Sequence, residues 1–236
     1  MCRRTKETAL SAAGGSVVDF GASMNTSTPG TAMTTKTHWD STYEQHGSAH
    51  VSWFRPHLDL SLDLIRQAAP SPQAAIIDVG GGASTLVDDL LAAQYRDVTV
   101  LDISAAALAV AQNRLGPAAS SVSWIDGDIT RIELAAARYD VWHDRAVFHF
   151  LTSPDDRERY VGTVKRALKP GGHVIMATFA SDGPEKCSGL PVARFDAGSL
   201  HAQFGGQFEL LDSRRETHLT PTGKEQHFVY CFCRLR

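Results

Sequence analysis

The pattern of apolar and polar positions divides the chain into a polar leader, an aromatic-rich segment and a long stretch in which strand and helix periods alternate. Residues 1–37 are rich in Thr, Ser, Gly and Ala and carry no sustained apolar period. So little apolar surface does not offset the entropy of ordering, and a disordered N-terminal tail is expected there. From His38 the texture changes. Trp39, Tyr43, Trp53 and Phe54 lie close together, and Leu58, Leu60, Leu62, Leu64 and Ile65 follow before Pro70 and Pro72. This reads as a helical cap over 38–72 leading into a single domain that spans 38–236.

The β-branched run Ala75-Ile76-Ile77-Asp78-Val79 predicts a buried strand, broken by Gly80-Gly81-Gly82 and followed by a helix capped by Ser84 and running to about Gln94. Further strands are expected at Val98 to Leu101, Val122 to Ile125, Tyr139 to Trp142 and Val174 to Phe179. Helices fall between them, one capped by Ser104 and ending near Leu115, another from Pro154 to Leu168. Strands alternating with helices imply an α/β fold, a doubly wound three-layer parallel sheet with right-handed crossovers. The ending departs from that rule. Phe208 to Ser213 and His227 to Arg234 are strand-like with no room between them for a crossover helix, so the last pair is expected to be antiparallel, with Glu216 to Pro221 as its link. No internal repeat or second domain is visible.

Composition narrows the function classes. With 236 residues, 43% of them hydrophobic, the chain is long enough to bury a sizeable core. A net charge of -3 without a Lys/Arg run gives no electrostatic reason to expect a nucleic-acid or anionic-membrane partner. The four cysteines are not spaced like a disulfide framework, no apolar run is long enough to span a bilayer, and Arg3-Arg4 precedes no apolar signal core. A cytoplasmic location without export is expected, and no metal site is predicted.

In open α/β sheets ligands bind beyond the carboxyl ends of the strands. Three such ends carry matched features here: Asp78 with Gly80 and Gly82 after the first strand, Asp102 with Ile103 after the second, and Gly127-Asp128-Ile129 after the third. Glycines let the backbone approach a ligand, and a carboxylate accepts from both ribose hydroxyls at once. Singly, each feature is also what a tight turn or a helix cap requires.

Together with Leu168-Lys169-Pro170-Gly171-Gly172, this series resembles the class I S-adenosylmethionine-dependent methyltransferases from about Trp39 to the C-terminus. The resemblance implies a Rossmann-like sheet of seven strands whose last strand inserts antiparallel, with S-adenosyl-L-methionine as cofactor and S-adenosyl-L-homocysteine as product. It also implies that Asp78 and the glycine loop contact the methionine part, Asp102 the ribose, and Asp128 with Ile129 the adenine. Ile103 and His143 join this cofactor set, as do Trp39 and Tyr43 of the cap, suited to cation–π contact with a sulfonium. Ser84 stands where the family commonly has a third glycine. The competing classes are an NAD(P)-dependent oxidoreductase, disfavoured because Asp78 precedes the glycines and a strand pair replaces a second βαβ half, and a non-catalytic cofactor-binding module.

Methyl transfer from a sulfonium is an in-line displacement, so alignment of the nucleophile and, where necessary, removal of its proton are the protein's tasks. The fourth strand runs into Trp142-His143-Asp144-Arg145-Ala146, where Asp144-Arg145 locally resembles stretches of thiopurine-methyltransferase-like and lysine-methyltransferase-like enzymes. Arg145 is expected to anchor the substrate, with Asp144 beside it and His149 or His218 assisting deprotonation. The bland alternatives are a buried Asp144–Arg145 ion pair and core histidines. Residues 178–191 form a Gly/Pro-hinged loop that reads as a substrate lid, and Cys187 within it as a thiol of unassigned role. Cys231 and Cys233 sit on one face of a strand and read as core. The expected acceptor is a small molecule with a nitrogen, sulfur or oxygen nucleophile. The alternative is a protein lysine, suggested by the Trp39-Asp40-x-x-Tyr43 opening, which resembles that of lysine-modifying relatives.

Overall fold

The computed structural model describes residues 30–46 and 51–236, with side chains over 36–44 and 51–236. Residues 1–29, most of the expected tail, lie outside this range. Helix α1 (Gly30–His46) begins well before His38, so the ordered cap extends back into the segment assigned to the tail.

A seven-stranded sheet organises the domain in the order β3-β2-β1-β4-β5-β9-β8. Its members are β1 (Ala75–Val79), β2 (Asp97–Asp102), β3 (Val122–Asp126), β4 (Tyr139–Arg145), β5 (Leu168–Phe179), β8 (Phe208–Leu219) and β9 (Glu225–Leu235). Strands β1 to β5 are parallel, and β9 inserts antiparallel between β5 and β8. A two-residue ladder, β6 (Lys186–Cys187) with β7 (Leu190–Pro191), folds the loop after β5. The expected ending holds in topology but not in bounds. Glu216 to Leu219 continue β8, and the turn into β9 is 220–224.

Alternation along the strands sends neighbouring side chains to opposite faces. Ile76, Val98, Val100, Val141 and Ile175 pack against α2 (Asp59–Ala68), α3 (Leu86–Ala92) and α4 (Ala105–Leu115). Ile77, Trp142, Val174 and Met176 pack against α5 (Pro154–Ala167) and α6 (Ala197–Ala202). Cys231 and Cys233 belong to this second core layer, where burial pushes both thiols up to about 12. Ser104 caps α4 as expected, its Oγ accepting from Ala107 N at 3.1 Å. Helix α3 is shorter than expected, with Thr85 rather than Ser84 at its N-cap.

The cap is latched to the sheet by polar contacts. Lys36 Nζ donates to the Ile103 carbonyl at 2.7 Å and to Asp126 at 2.6 Å, and Asp40 Oδ1 accepts from Ser104 Oγ at 2.7 Å. These hold α1 across the carboxyl ends of β2 and β3.

Candidate active site

A cavity of about 310 Å³ opens at the carboxyl ends of β1, β2 and β4, beneath α1. Near β2 and β3 its walls are Asp102, Ile103, Asp128 and Ile129, and toward β4 they are Arg145, Val147, Phe150 and Cys187. Trp39, Tyr43 and Trp53 form an aromatic roof. Trp39 meets Trp53 and Phe150 edge-on with ring centres 5.7 and 5.1 Å apart, so the roof and the β4 wall are one aromatic cluster. An annex of about 40 Å³ continues from Tyr43 and Trp53 to Asp78, the glycine loop and His143, with Phe54 in its lining.

The glycine loop is shaped by local constraints. Gly80 has φ +70°, and a Cβ there would collide with Val147. A Cβ on Gly82 would lie 2.5 Å from Asp102 Oδ2. Only bare backbone leaves room for the β2 carboxylate beside it. Ser84 is accommodated because its Oγ accepts from Leu86 N at 3.2 Å, opening α3 rather than crowding the loop.

The two inner carboxylates differ. Asp102 is 7% exposed and accepts from Ser104 N at 2.8 Å. Burial, reinforced by nearby Asp78, pushes it up to about 7. Asp78 Oδ1 meets His143 Nδ1 at 2.7 Å, while its buried Oδ2 has no hydrogen-bond partner among the described residues. An unpaired buried carboxylate oxygen is costly unless a donor arrives. Asp128 lines the cavity while its Oδ1 accepts from Thr130 N and Oγ1 at 2.9 and 2.7 Å, so it is a turn residue and a wall residue together.

The residues expected on the substrate side divide. Arg145 reaches the wall, yet its guanidinium is already engaged. Nε donates to Tyr230 Oη at 3.1 Å, Nη2 to Glu216 at 3.1 Å, and Cζ stands 4.2 Å over the Phe228 ring. Glu216 also pairs with Arg55 at 2.5 Å. The imagined Asp144–Arg145 ion pair is absent, because successive strand residues face opposite sides of the sheet. Asp144 is fully buried on the α5 side, accepting from Tyr160 Oη at 2.5 Å and Val147 N at 2.9 Å, and touches neither cavity. Burial outweighs these bonds and pushes its carboxyl up to about 6.

Neither candidate base faces the cavity. His149 is fully buried between Phe150 and Phe179, its Nδ1 accepting from Phe179 N at 3.4 Å and its Nε2 without a partner. Burial and then Arg145 lower it to about 3, which makes it a core histidine. His218 lies within β8, not in a link, and donates through Nε2 to the Ser52 carbonyl at 2.7 Å. The main cavity has no histidine in its lining, and the annex has His143, held by Asp78 and Ser61. The loop after β5 contributes Cys187 to the cavity wall, its thiol pushed up to about 12 by burial. Ala146, Val147 and Phe150 also line the cavity, although the sequence assigns none of them a site role. Ala146 is in the left-handed region at φ +75°, turning the chain sharply after Arg145.

Comparison with known proteins agrees with this geometry. Residues 76–172 match the family described as methyltransferase domain. That match and the likenesses below support a class I S-adenosylmethionine-dependent methyltransferase. Among curated members it is 24% identical over 149 residues to the mouse eEF1A lysine and N-terminal methyltransferase, covering 61% of this chain and 21% of that protein. It is 34% identical over 117 residues to the ubiquinone/menaquinone biosynthesis C-methyltransferase UbiE of Rubrivivax gelatinosus, covering 50% of this chain and 44% of that protein. The chain thus spans about a fifth of the first relative's length and under half of the second's. A solved S-adenosylmethionine-dependent methyltransferase from Anabaena variabilis shares the fold with a TM-score of 0.67 at 17% identity, over 87% of this chain and 95% of that one. The Burkholderia thailandensis 1,6-didemethyltoxoflavin-N1-methyltransferase, solved with its substrate and S-adenosylhomocysteine, gives 0.60 at 20% identity over 86% and 84%.

Proposed function

We propose that this class I methyltransferase transfers the methyl group of S-adenosylmethionine to a nitrogen, sulfur or oxygen nucleophile of a small molecule. The cofactor supplies a methyl group already activated on a sulfonium. The residues present suit it: the unpaired Asp78 Oδ2 awaits a donor beside the glycine loop, and Asp102 lines the cavity at the β2 end. In this reading Asp78, Gly80 and Gly82 hold the amino-acid end, Asp102 the ribose hydroxyls, and Ile103, Asp128 and Ile129 the adenine. Trp39, Tyr43 and Trp53 face the sulfonium and the acceptor.

The observation that carries the acceptor class is the charge of the β4 wall. Glu216 is held by both Arg55 and Arg145, Arg145 is the one charged side chain that the β4 strand gives the cavity lining, and the Cys187 thiol beside it remains neutral. A guanidinium and a neutral thiol on that wall favour a neutral or anionic, partly flat acceptor stacked on Trp53 and Phe150 over a lysine ammonium placed beside Arg145. With no histidine in the lining of the main cavity, the acceptor is one that gives up its proton to solvent. A cytoplasmic setting, without nucleic acid or membrane as partner, belongs to the same reading. No helix among the described residues is long and apolar enough to cross a membrane.

The second reading, a protein lysine methyltransferase, is favoured by the likeness to the mouse lysine and N-terminal methyltransferase. Formation of S-adenosylhomocysteine over a panel of small thiols, phenols and amines, run beside lysine-bearing proteins, separates the two. Turnover confined to the proteins transfers the conclusion to the second reading.

A further inference from the structure

A chain of buried polar side chains leads from the glycine loop to the β4 wall without passing through the main cavity. Asp78 Oδ1 meets His143 Nδ1 at 2.7 Å, His143 Nε2 meets Ser61 Oγ at 2.9 Å, and Ser61 Oγ lies 3.4 Å from Tyr230 Oη. Tyr230 Oη in turn accepts from Arg145 Nε at 3.1 Å and donates to Glu216 at 3.3 Å. Ser61 is fully buried and His143 is 1% exposed, on α2 and β4 respectively. A buried hydroxyl on the apolar face of a helix costs stability unless it is hydrogen-bonded, as Ser61 is to His143.

The geometry of Asp78 shows what this chain accomplishes. A carboxylate only accepts, so His143 Nδ1 carries the hydrogen that binds Oδ1. With Oδ1 fixed, Oδ2 is turned toward the glycine loop, where a side chain on Gly81 would strike it, and it is left without a partner. Ser61 fixes the other ring nitrogen and therefore the tilt of the imidazole. An imidazole held at both nitrogens orients a carboxylate more sharply than one held at a single point.

Resting on the cofactor reading above, we propose that His143 and Ser61 are positioning residues. They hold the Asp78 carboxylate so that one oxygen is presented to a cationic amino group at the amino-acid end of the cofactor. Neither touches the reacting atoms. The consequence is selectivity. Ligands that carry the α-amino acid gain from this arrangement, and ligands that stop at the adenosyl thioether do not.

The experiment is calorimetric titration of the full chain with S-adenosylhomocysteine and with 5′-methylthioadenosine, which lacks the amino-acid end. Ser61→Ala and His143→Phe are expected to weaken S-adenosylhomocysteine by ~10-fold while 5′-methylthioadenosine affinity stays within ~2-fold. His143→Asn, which keeps a nitrogen donor toward Asp78, restores most of the loss. Retained 5′-methylthioadenosine binding also certifies that a variant is folded, and if His143→Phe fails to fold, Ser61→Ala and His143→Asn carry the test. Equal losses for both ligands, or no loss for either, overturn the assignment. A wild-type protein that binds neither ligand overturns the cofactor reading itself, and this inference with it.

Discussion

His218 Nε2 and the carbonyl of Ser52, 166 residues apart in sequence, are joined by a hydrogen bond of 2.7 Å. Through it the edge strand β8 fixes the turn that carries Trp53 into the roof of the cavity, and the Arg55–Glu216 pair does the same three residues on. His218 is thus a structural tie. His218→Ala leaves a carbonyl unpaired, and an unfolding free energy lower by about 1–3 kcal/mol is expected in denaturant titration. S-adenosylhomocysteine affinity falls with it, because Trp53 loses its support. Unchanged stability with lost turnover would return His218 to the role of base.

Asp102 should make cofactor binding pH-dependent. Its folded pKa is raised to about 7, mainly by burial, so between the ordinary carboxylate range and about 7 the folded protein holds a proton that the unfolded chain has released. Stability from this group is present at low pH and is lost as pH rises through that window. In the proposed cofactor reading the ribose hydroxyls donate to the ionised form, so ligand binding opposes protonation. Affinity for S-adenosylhomocysteine is expected to fall toward ~10-fold per unit as pH drops below about 7. Calorimetry in buffers of different ionisation enthalpy reads the released proton, and Asp102→Asn removes the dependence.

Asp144 accepts from Tyr160, Val147 and Phe148 on the face of the sheet away from the cavity. Asp144→Ala leaves these donors buried and unpaired, so a loss of about 2–4 kcal/mol in unfolding free energy is expected. Variants that remain folded at low temperature keep S-adenosylhomocysteine affinity. A folded variant with intact stability and no activity would contradict this assignment.

Gly80→Ala combines a left-handed φ of +70° with a collision against Val147, a wall residue of the cavity. A cost of about 1–3 kcal/mol is expected, shared between thermal stability and cofactor affinity. Gly206→Ala, where a Cβ meets nothing within 4 Å, serves as the control.

Much of the scaffold is legible along the chain because it is local. The run Ala75 to Val79, the break at Gly80, and the Ser104 cap each follow from short-range preferences of β-branched residues, glycine and hydroxyls. The positions of Asp78, Asp102 and Asp128 at three strand ends follow once the strands are placed, and all three line the cavity or its annex. The hairpin was harder. Glu216 to Pro221 contains polar and turn-forming residues, but pairing with β9 through Leu219 offset those local preferences and moved the turn to 220–224.

What the sequence by itself determined is the order of elements, the antiparallel ending and the carboxylates and glycines that border the cavity and its annex. Only the tertiary structure decided which chemically capable side chains face the cavity. Strand parity puts Arg145 at the wall and its neighbour Asp144 in the opposite core layer, and the turn after Ala146 buries His149 while exposing Phe150. The contacts of His143 with Ser61 and of Arg145 with Glu216 join residues 82 and 71 positions apart. Such pairings are set by how α2 and β8 pack on the sheet, and no local period along the chain encodes them.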